Sequence, residues 1–180
     1  MEYKPSWMEK LGMNCRFCNN PLSDIFTDLG NTPLANSFLT LDMLDKKEIS
    51  FPLKSLVCQK CFLVQVDEFE KPQNIFNDYA YFSSYSTSWL EHVKEFSEQM
   101  INRFSLSKND QVIEIASNDG YMLNFFKNHE IPVLGIEPAA NVAKIAENMG
   151  IPTVVDFFSS NSVEKIVNSG IKANLLIAFN

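Results

Sequence analysis

Two C-x-x-C motifs constrain the fold of this chain more than any other feature of its sequence. Cys15 and Cys18 form the first pair, Cys58 and Cys61 form the second, and together they are all the cysteines of the 180 residues. Two such pairs can place four thiolates around one metal ion, and both histidines lie outside the region, so a tetrahedral all-thiolate site is the simplest outcome. We therefore predict a structural zinc module over residues 1–75, with buried or redox-active cysteines as the alternative.

The composition excludes several classes of protein. With 46% hydrophobic residues the chain can form a packed core, and its net charge of -7 disfavours non-specific binding to nucleic acid. The sequence contains no run of about 18 apolar residues that would predict a transmembrane helix, and residues 1–10 lack the apolar core of a signal peptide. We expect a cytoplasmic protein that contacts neither nucleic acid nor a membrane, and cysteines in that compartment are metal ligands more often than disulfides.

A segment rich in tyrosine and serine follows the cysteine module. Residues 77–86 include three Tyr, one Phe and three Ser, which is too aromatic for a plain linker and too polar for a plain core. Two interpretations stay open. The rings and hydroxyls can bind a hydroxyl-rich ligand, or the segment can act as an aromatic clasp that packs the metal module onto the next domain.

A helix is predicted directly after this segment. Ser88 precedes it and Glu91 follows three residues later, a pattern typical of a capping box. Apolar residues recur at helical spacing over residues 89–104, so one face should be buried. His92 lies on this helix, and we interpret it as a surface or interface histidine rather than a catalytic base. Residues 76–105 are thus predicted to connect the zinc module to the next domain.

Strands and helices alternate from residue 106 to the end of the sequence. The predicted strands cover residues 111–116, 133–136, 152–155 and 174–179. The predicted helices cover residues 120–128, 139–149 and 162–168. This alternation is typical of an α/β domain with a parallel sheet and right-handed crossovers.

Each of the four predicted strands is followed by a polar residue. Asp119 lies on the turn after the first strand, and Glu137, Asp156 and Asn180 end the next three. At the carboxyl edge of such a sheet, Glu137 can accept hydrogen bonds from ribose hydroxyls and Asp156 can accept one from an adenine amino group. The general polarity of loops would explain any one of these positions, but it explains all four together less well.

The turn after the first strand favours a cofactor without phosphate groups. A dinucleotide site requires the pattern G-x-G-x-x-G, but with Gly120 as the third glycine the first two positions hold Ile115 and Ser117. Asn118 tolerates the left-handed conformation of a tight turn better than most residues. We therefore predict S-adenosylmethionine as the cofactor in preference to NAD.

Taken together, these motifs resemble the zinc-containing, S-adenosylmethionine-dependent sugar C-methyltransferases, which act on nucleotide-linked deoxy-keto sugars. The motifs are the two C-x-x-C pairs, YAYFSSYS from residue 79, EIASNDGY from residue 114 and GIEPA from residue 135. The resemblance implies an α/β protein in which a small N-terminal zinc-binding module precedes the first half of a Rossmann-like class I methyltransferase domain. That half-domain would occupy residues 106–180, with a parallel sheet in the order 3-2-1-4.

The resemblance also implies roles for particular residues. The zinc ligands would be Cys15, Cys18, Cys58 and Cys61. The cofactor site would be lined by Glu114, Ser117, Asn118, Gly120 and Glu137, in addition to Asp156 and Asn180 at the later strand ends. The sugar nucleotide would be contacted by Tyr79, Tyr81, Ser84 and Tyr85.

Members of that family continue into a C-terminal domain that carries a histidine-rich acceptor site and the general base. We therefore expect this chain to be a truncated N-terminal portion that is inactive alone, and we assign the base to no residue. Its fourth strand would be an unpaired apolar edge, which favours self-association. The alternative function is a non-catalytic, zinc-stabilised binding or assembly module. A zinc ribbon that binds nucleic acid would need a basic face, for which basic residues such as Arg16 and Lys60 are too sparse.

Overall fold

The computed structural model describes residues 13–76 and 78–179. The chain divides into two compact units, the first ending at Ile75 and the second beginning at Phe76. Among the helices of these residues, none combines the length and the apolar character that crossing a bilayer requires.

The N-terminal unit consists of short antiparallel strands. They are β1 (Met13–Asn14), β2 (Pro21–Leu22), β3 (Asp24–Thr32), β4 (Phe51–Val57) and β5 (Val64–Val66). Strands β1 and β2 form a hairpin, and β3, β4 and β5 form a sheet in that order. Among the described residues of this unit, the apolar cluster consists of Cys15, Leu22 and Cys58. A core this small needs additional stabilisation, which a metal ion bound to the cysteines can supply.

Strand β3 extends through residues that are typical of turns. It continues as far as Thr32 although Gly30 and Asn31 lie within it and Pro33 follows it. It does so because its pairing with β4 shifts register between Asp28 and Asn31, at a bulge where Gly30 adopts a φ of 75°. Strand β5 begins at Val64, because Phe62 and Leu63 still hydrogen-bond to Cys58 in the second cysteine turn.

The C-terminal unit is a parallel sheet covered by helices. Its elements follow the short helix α1 (Pro72–Phe76): α2 (Thr87–Phe104), β6 (Val112–Ile115), α3 (Leu123–Asn128), β7 (Val133–Ile136), α4 (Ala140–Asn148), β8 (Thr153–Val154), α5 (Ser160–Asn168) and β9 (Leu175–Ala178). The strand order is β8-β7-β6-β9, with every pair parallel. This is the predicted order 3-2-1-4, and the predicted α/β fold class is confirmed.

Burial on both faces explains the apolar sequence of the central strands. Val112 of β6 faces one cluster together with residues of α2 and α3, of which Val93 and Phe126 are fully buried. The next residue, Ile113, faces the opposite cluster, to which α5 contributes Ile166. A parallel strand covered on both sides is apolar at successive positions, as observed here.

Helix α2 starts two residues earlier than the sequence indicates. Its N-cap is Ser86, whose hydroxyl accepts a hydrogen bond from the backbone N–H of Trp89 at 3.3 Å. The prediction that Ser88 caps the helix together with Glu91 is therefore wrong. Ser86 has the extended backbone that an N-cap requires, while Ser88 already lies in the first helical turn. The predicted burial of one face is confirmed, since Val93 and Ser97 are buried.

The turn between β6 and α3 has an unusual backbone. Ala116, Asn118 and Gly120 all lie in the left-handed region, with φ values of 56°, 49° and 79°. The expectation for Asn118 is thus confirmed. Gly120 is also constrained by packing, because a methyl group at its Cα would lie 2.6 Å from Ile151 Cδ1 and 3.1 Å from Ala146 Cβ. Glycine at this position allows α4 and the chain before β8 to pack against the turn.

We expect Gly120→Ala to lower the free energy of unfolding by about 2–4 kcal/mol, the sum of left-handed strain and overpacking. Gly170→Ala is the matched control. Gly170 has a φ of 83° but no atom within 4 Å of the added methyl group, so only the backbone strain of about 1–2 kcal/mol should appear. Urea unfolding, followed by circular dichroism, measures the free energy of unfolding of both variants. Equal losses in the two variants would contradict the packing role of Gly120.

Candidate functional site

The four cysteines lie together in the N-terminal unit. All four Sγ atoms are within 4.8 Å of one another, and the Cys15–Cys61 and Cys18–Cys58 Sγ distances are both 3.5 Å. Zinc bound tetrahedrally at about 2.3 Å to sulfur places its ligands roughly 3.8 Å apart, so the donor set and its spacing fit a four-thiolate zinc site. Such a site has no open coordination position, so zinc there would support the fold and not the reaction.

The two cysteine pairs lie on turns of the same design. In the first, Asn19 donates its backbone N–H to the carbonyl of Cys15, and in the second, Phe62 donates to the carbonyl of Cys58. Asn19 and Phe62 occupy the same place in their turns, and both are left-handed, with φ values of 58° and 63°. The backbone N–H of Cys18, followed by a side-chain hydrogen bond from Gln65, lowers the pKa of Cys15 to about 6. A thiolate is the form that binds a metal ion.

Gln65 is a residue of the metal centre that the sequence analysis missed. Its side chain is buried, with 7% exposure, in β5. Its Nε2 donates to Cys15 Sγ at 3.3 Å, while its Oε1 accepts the backbone N–H of Arg16 at 3.0 Å. Gln65 therefore holds the first cysteine turn against β5. The sequence did contain one indication of this role, because Gln65 is a polar residue between Val64 and Val66.

A cavity of about 530 Å³ lies in the C-terminal unit, at the carboxyl ends of β6 and β7. Aromatic side chains dominate its wall: Phe76, Tyr79, Tyr81, Trp89, Tyr121, Phe157, Phe158 and Phe179. The polar lining residues are Ser83, Asn118 and Glu137. An apolar cleft with a few polar groups at the carboxyl edge of a parallel sheet is where α/β proteins bind small ligands.

Glu137 is the fixed charged group of this cavity. It is 5% exposed, and both carboxylate oxygens accept backbone hydrogen bonds. Oε2 accepts from Asn118 at 2.9 Å and Oε1 from Ala139 at 2.8 Å. Burial raises the pKa of Glu137, although these two N–H groups act in the opposite direction. Each oxygen keeps a lone pair with which it can accept a hydrogen bond from a ligand hydroxyl.

Two further buried carboxyl groups belong to β6 and to the turn that follows it, and neither is a lining residue of the cavity. Glu114 is fully buried, and neither of its oxygens accepts a hydrogen bond within the described residues. Burial raises the pKa of Glu114 well above its ordinary value, the charges of Asp119 and Glu137 add to this, and the Tyr121 hydroxyl opposes it. Asp119 accepts a hydrogen bond from the backbone N–H of Ser84 at 3.2 Å, but its other oxygen has no partner among the described residues. These unpartnered acceptors form an environment suited to a positively charged group.

The predicted cofactor residues separate into three groups. Asn118 and Glu137 line the cavity, as predicted. Glu114, Ser117 and Gly120 are not among its lining residues, although they belong to β6 and to the turn that follows it. Ser117 is fully buried and packs tightly against β7, since a methyl group at Gly135 would collide with its hydroxyl.

The third group consists of Asp156 and Asn180, whose predicted cofactor contacts stay predictions. Asp156 is not a lining residue, because its carboxylate accepts the N–H of Phe157 at 2.8 Å and pairs with Lys165 at 3.6 Å. The rings of Phe157 and Phe158 line the cavity next to it in the chain. Asn180 lies outside the described residues, so its predicted role stays a prediction.

The tyrosine–serine segment contributes only some of its predicted ligand contacts to the cavity. Tyr79 and Tyr81 line it, whereas Ser84 and Tyr85 are exposed and do not. Hydrogen bonds also hold the segment in place, as the clasp interpretation expects. These bonds join it to residues of its own unit. The backbone N–H of Ser83, for example, donates to Asn118 Oδ1 at 2.8 Å.

Several lining residues had no distinctive signal in the sequence. Trp89 was assigned to the buried face of α2, yet its ring lies in the cavity wall, 6.2 Å from Tyr121 and 6.0 Å from Phe179. Phe157 follows β8 in a loop that the sequence did not distinguish. His92 is exposed and stacks on Trp89 at 5.5 Å, as expected for a surface histidine.

Known proteins resemble this chain in its cysteine module and along most of its length. Residues 15–76 match a family described as a "Putative zinc binding domain" of methyltransferases. The chain is 30% identical over 152 residues, 84% of its length, to the C-methyltransferase NovU of Streptomyces niveus. It spans only 36% of that relative. The resemblance to C-methyltransferases is confirmed.

Two solved structures align with part of this chain. A SAM dependent methyltransferase from Archaeoglobus fulgidus aligns with a TM-score of 0.33 and 22% identity, covering 44% of this chain and 33% of that one. An S-adenosylmethionine-dependent methyltransferase from Clostridium acetobutylicum aligns with a TM-score of 0.29 and 13% identity, covering 51% and 30%. The α/β character of this unit follows from its own parallel strand order, β8-β7-β6-β9.

We expect Gln65→Glu to weaken zinc binding about 10–100-fold, the usual range for a partner that orients a metal ligand. The introduced carboxylate cannot donate the hydrogen bond that Gln65 makes to Cys15 Sγ, and its negative charge repels the thiolates. Gln73→Glu is the matched control, because Gln73 is exposed on α1. Competition with a chromogenic chelator measures the affinity. Equal zinc affinities for Gln65→Glu and wild type would contradict this role.

Glu114 should make the stability of the protein depend on pH. Its folded-state pKa lies above the ordinary value of 4.5, so its contribution is fully present below pH 4.5 and is lost as the pH rises through the folded-state value. Between pH 5 and pH 8, the free energy of unfolding should therefore fall more for wild type than for Glu114→Gln. Urea unfolding at both pH values, with zinc supplied, tests this. Glu164→Gln, an exposed change, should follow wild type. An equal fall in the free energy of unfolding for wild type and Glu114→Gln would contradict this role of Glu114.

Proposed function

We propose that this chain is the zinc-binding and cofactor-binding part of an S-adenosylmethionine-dependent C-methyltransferase. The proposal is supported by the similarity to a C-methyltransferase over 152 residues and by the match of residues 15–76 to a zinc-binding domain family. The observation that carries it is the buried carboxylate of Glu137 in an aromatic cavity at the carboxyl edge of the sheet. Because the chain spans about a third of that relative, the activity of the whole protein is part of the proposal.

The cavity fits the chemistry of the proposed cofactor in three respects. Glu137 can accept hydrogen bonds from ribose hydroxyls, and the rings of Phe157 and Phe158 can cover an adenine. The unpartnered carboxyl oxygens of Glu114 and Asp119 can favour the positive charges of the methionine portion. When bound, S-adenosylmethionine would supply an electrophilic methyl group on a positively charged sulfur. The left-handed turn lacks the glycine pattern of a dinucleotide site.

For the acceptor, we propose a nucleotide-linked keto-deoxysugar. Tyr79 and Tyr81 line the cavity and can bind its hydroxyl groups, while Ser84 and Tyr85 remain predicted contacts. In the implied reaction a base takes a proton from the carbon next to the sugar ketone. The enolate carbon then forms a bond to the methyl group as the bond between that methyl group and the sulfonium sulfur breaks, which leaves a neutral thioether. Holding the two reactants in line and removing the proton would supply most of the acceleration. We assign the base to no residue of this chain.

A second candidate function is a non-catalytic, zinc-stabilised binding or assembly module. It is favoured by large apolar side chains that are exposed in the N-terminal unit, among them Phe17 at 78%, Phe38 at 77% and Leu41 at 88%. Self-association through β9, the edge strand of the parallel sheet, belongs to this proposal. Methyl transfer to a keto-deoxysugar nucleotide, assayed with labelled cofactor, separates the two functions.

We expect the wild-type chain to bind S-adenosylmethionine in isothermal titration calorimetry, and Glu137→Gln to weaken that binding about 10–100-fold. This is the range for losing a charge-assisted hydrogen bond to a ligand. Glu164→Gln, an exposed change on α5, is the matched control and should bind like wild type. Unfolding midpoints of all three proteins check that each is folded. No heat of binding from folded, zinc-loaded wild type would overturn the cofactor assignment for this chain.

A further inference from the structure

The tyrosine–serine segment is held in place by side chains of the sheet unit. Among its described residues, 78–86, the regular structure is a single 3-10 turn, Ser83–Tyr85. Its backbone groups nevertheless have defined partners. Asn118, Asp119 and Asn141 together make five hydrogen bonds to the backbone of residues 79–84. The segment is therefore attached to the turn after β6 and to the first turn of α4.

Asn141 makes the most complete of these attachments. Its Oδ1 accepts the backbone N–H of Tyr79 at 3.1 Å, and its Nδ2 donates to the carbonyl of Tyr79 at 2.9 Å. A planar amide that satisfies both backbone groups of one residue fixes that residue as a strand neighbour would. Asn141 lies in the first turn of α4, directly after the chain that contains Glu137. It is not one of the cavity-lining residues itself.

Asn118 connects the same segment to the fixed carboxylate. Its side chain accepts the N–H of Ser83 at 2.8 Å and donates to the carbonyl of Tyr81 at 3.2 Å. Its own backbone N–H donates to Glu137 Oε2 at 2.9 Å. The segment and Glu137 are thus joined by direct hydrogen bonds through one residue, and Asn141 supplies a second attachment at Tyr79.

The ring of Tyr79 lies in the cavity wall beside two other aromatic rings. It lies 5.4 Å from the ring of Phe76 and 6.4 Å from the ring of Tyr81, in tilted and edge-on arrangements. All three rings line the cavity. Moving the backbone of Tyr79 would therefore displace the middle member of the aromatic row that covers a bound ligand.

We propose that Asn141 is a positioning residue, which holds Tyr79 in the wall of the cofactor cavity by pairing with both of its backbone groups. This inference rests on the proposed function, because it concerns binding of the adenosine cofactor. It extends that function by making the affinity for S-adenosylmethionine depend on a residue outside the cavity lining. Neither the cysteine motifs nor the glycine pattern of the turn indicates this role.

The experiment compares Asn141→Ala and Asn141→Asp with wild type. Amide hydrogen exchange, followed by NMR without ligand, reports on the attachment itself. Asn141→Ala should speed exchange at Tyr79 at least about tenfold while Ser83 stays protected, because Asn118 still holds Ser83. Asn141→Asp keeps an acceptor for the Tyr79 N–H and should retain most of its protection. Asn148→Ala, an exposed change at the end of the same helix, is the matched control.

Calorimetry with S-adenosylmethionine then measures the consequence for binding. We expect Asn141→Ala to weaken binding about 5–10-fold with an unfolding midpoint close to that of wild type, and Asn141→Asp to restore part of the affinity. Unchanged exchange at Tyr79, or unchanged affinity despite faster exchange, overturns the inference alone. A lowered midpoint with faster exchange throughout the unit also overturns it, because Asn141 would then be structural. Wild type that fails to bind the cofactor overturns the proposed function, and the binding role of Asn141 with it.

Discussion

The hydrogen bond from the backbone of Asn118 to the carboxylate of Glu137 organises the functional edge of the C-terminal unit. It joins the chain after β6 to the chain after β7, at 2.9 Å and in a buried position. Glu137 also accepts the N–H of Ala139, and Asn118 reaches the aromatic segment with its side chain. The carboxylate and part of the cavity wall are therefore ordered before a ligand arrives, which reduces the entropy lost on binding.

The N-terminal unit depends on a different constraint. Its sheets are built from strands of two to nine residues, and its buried cluster consists of Leu22 and two cysteines. Burial of apolar surface contributes little there, so the bonds between thiolates and a metal ion would replace an apolar core. Two glycine-free turns of matching backbone geometry bring the cysteines together, and Gln65 attaches the first turn to β5. The two units are thus stabilised by different physical interactions.

The buried carboxyl groups of the C-terminal unit carry a cost in stability. Both oxygens of Glu114, one oxygen of Asp119 and the hydroxyl of Ser117 lack hydrogen-bond partners within the described residues. Each such group costs about 1–3 kcal/mol relative to a satisfied one. Their concentration at one turn next to the cavity supports a role in binding, because unsatisfied and charged groups collect where a protein must bind a ligand and not where it must only fold.

Local spacing by itself predicted the four-cysteine metal site, the alternation of strands and helices and the left-handed turn at Asn118, because the residues of each cysteine pair, each apolar segment and each turn lie within a few positions of one another. The sheet order 3-2-1-4 was implied by the resemblance to the sugar C-methyltransferases and not by spacing. Local spacing predicted the wrong N-cap for α2, because Ser86 and Ser88 are both suited to that position by residue type. The structure shows that Ser86 forms the N-cap. Only the tertiary structure decided which side chains reach a site. Gln65 faces a cysteine, Trp89 faces the cavity and Asp156 turns to Lys165, because these contacts join residues that are distant in sequence or depend on how helices pack on the sheet.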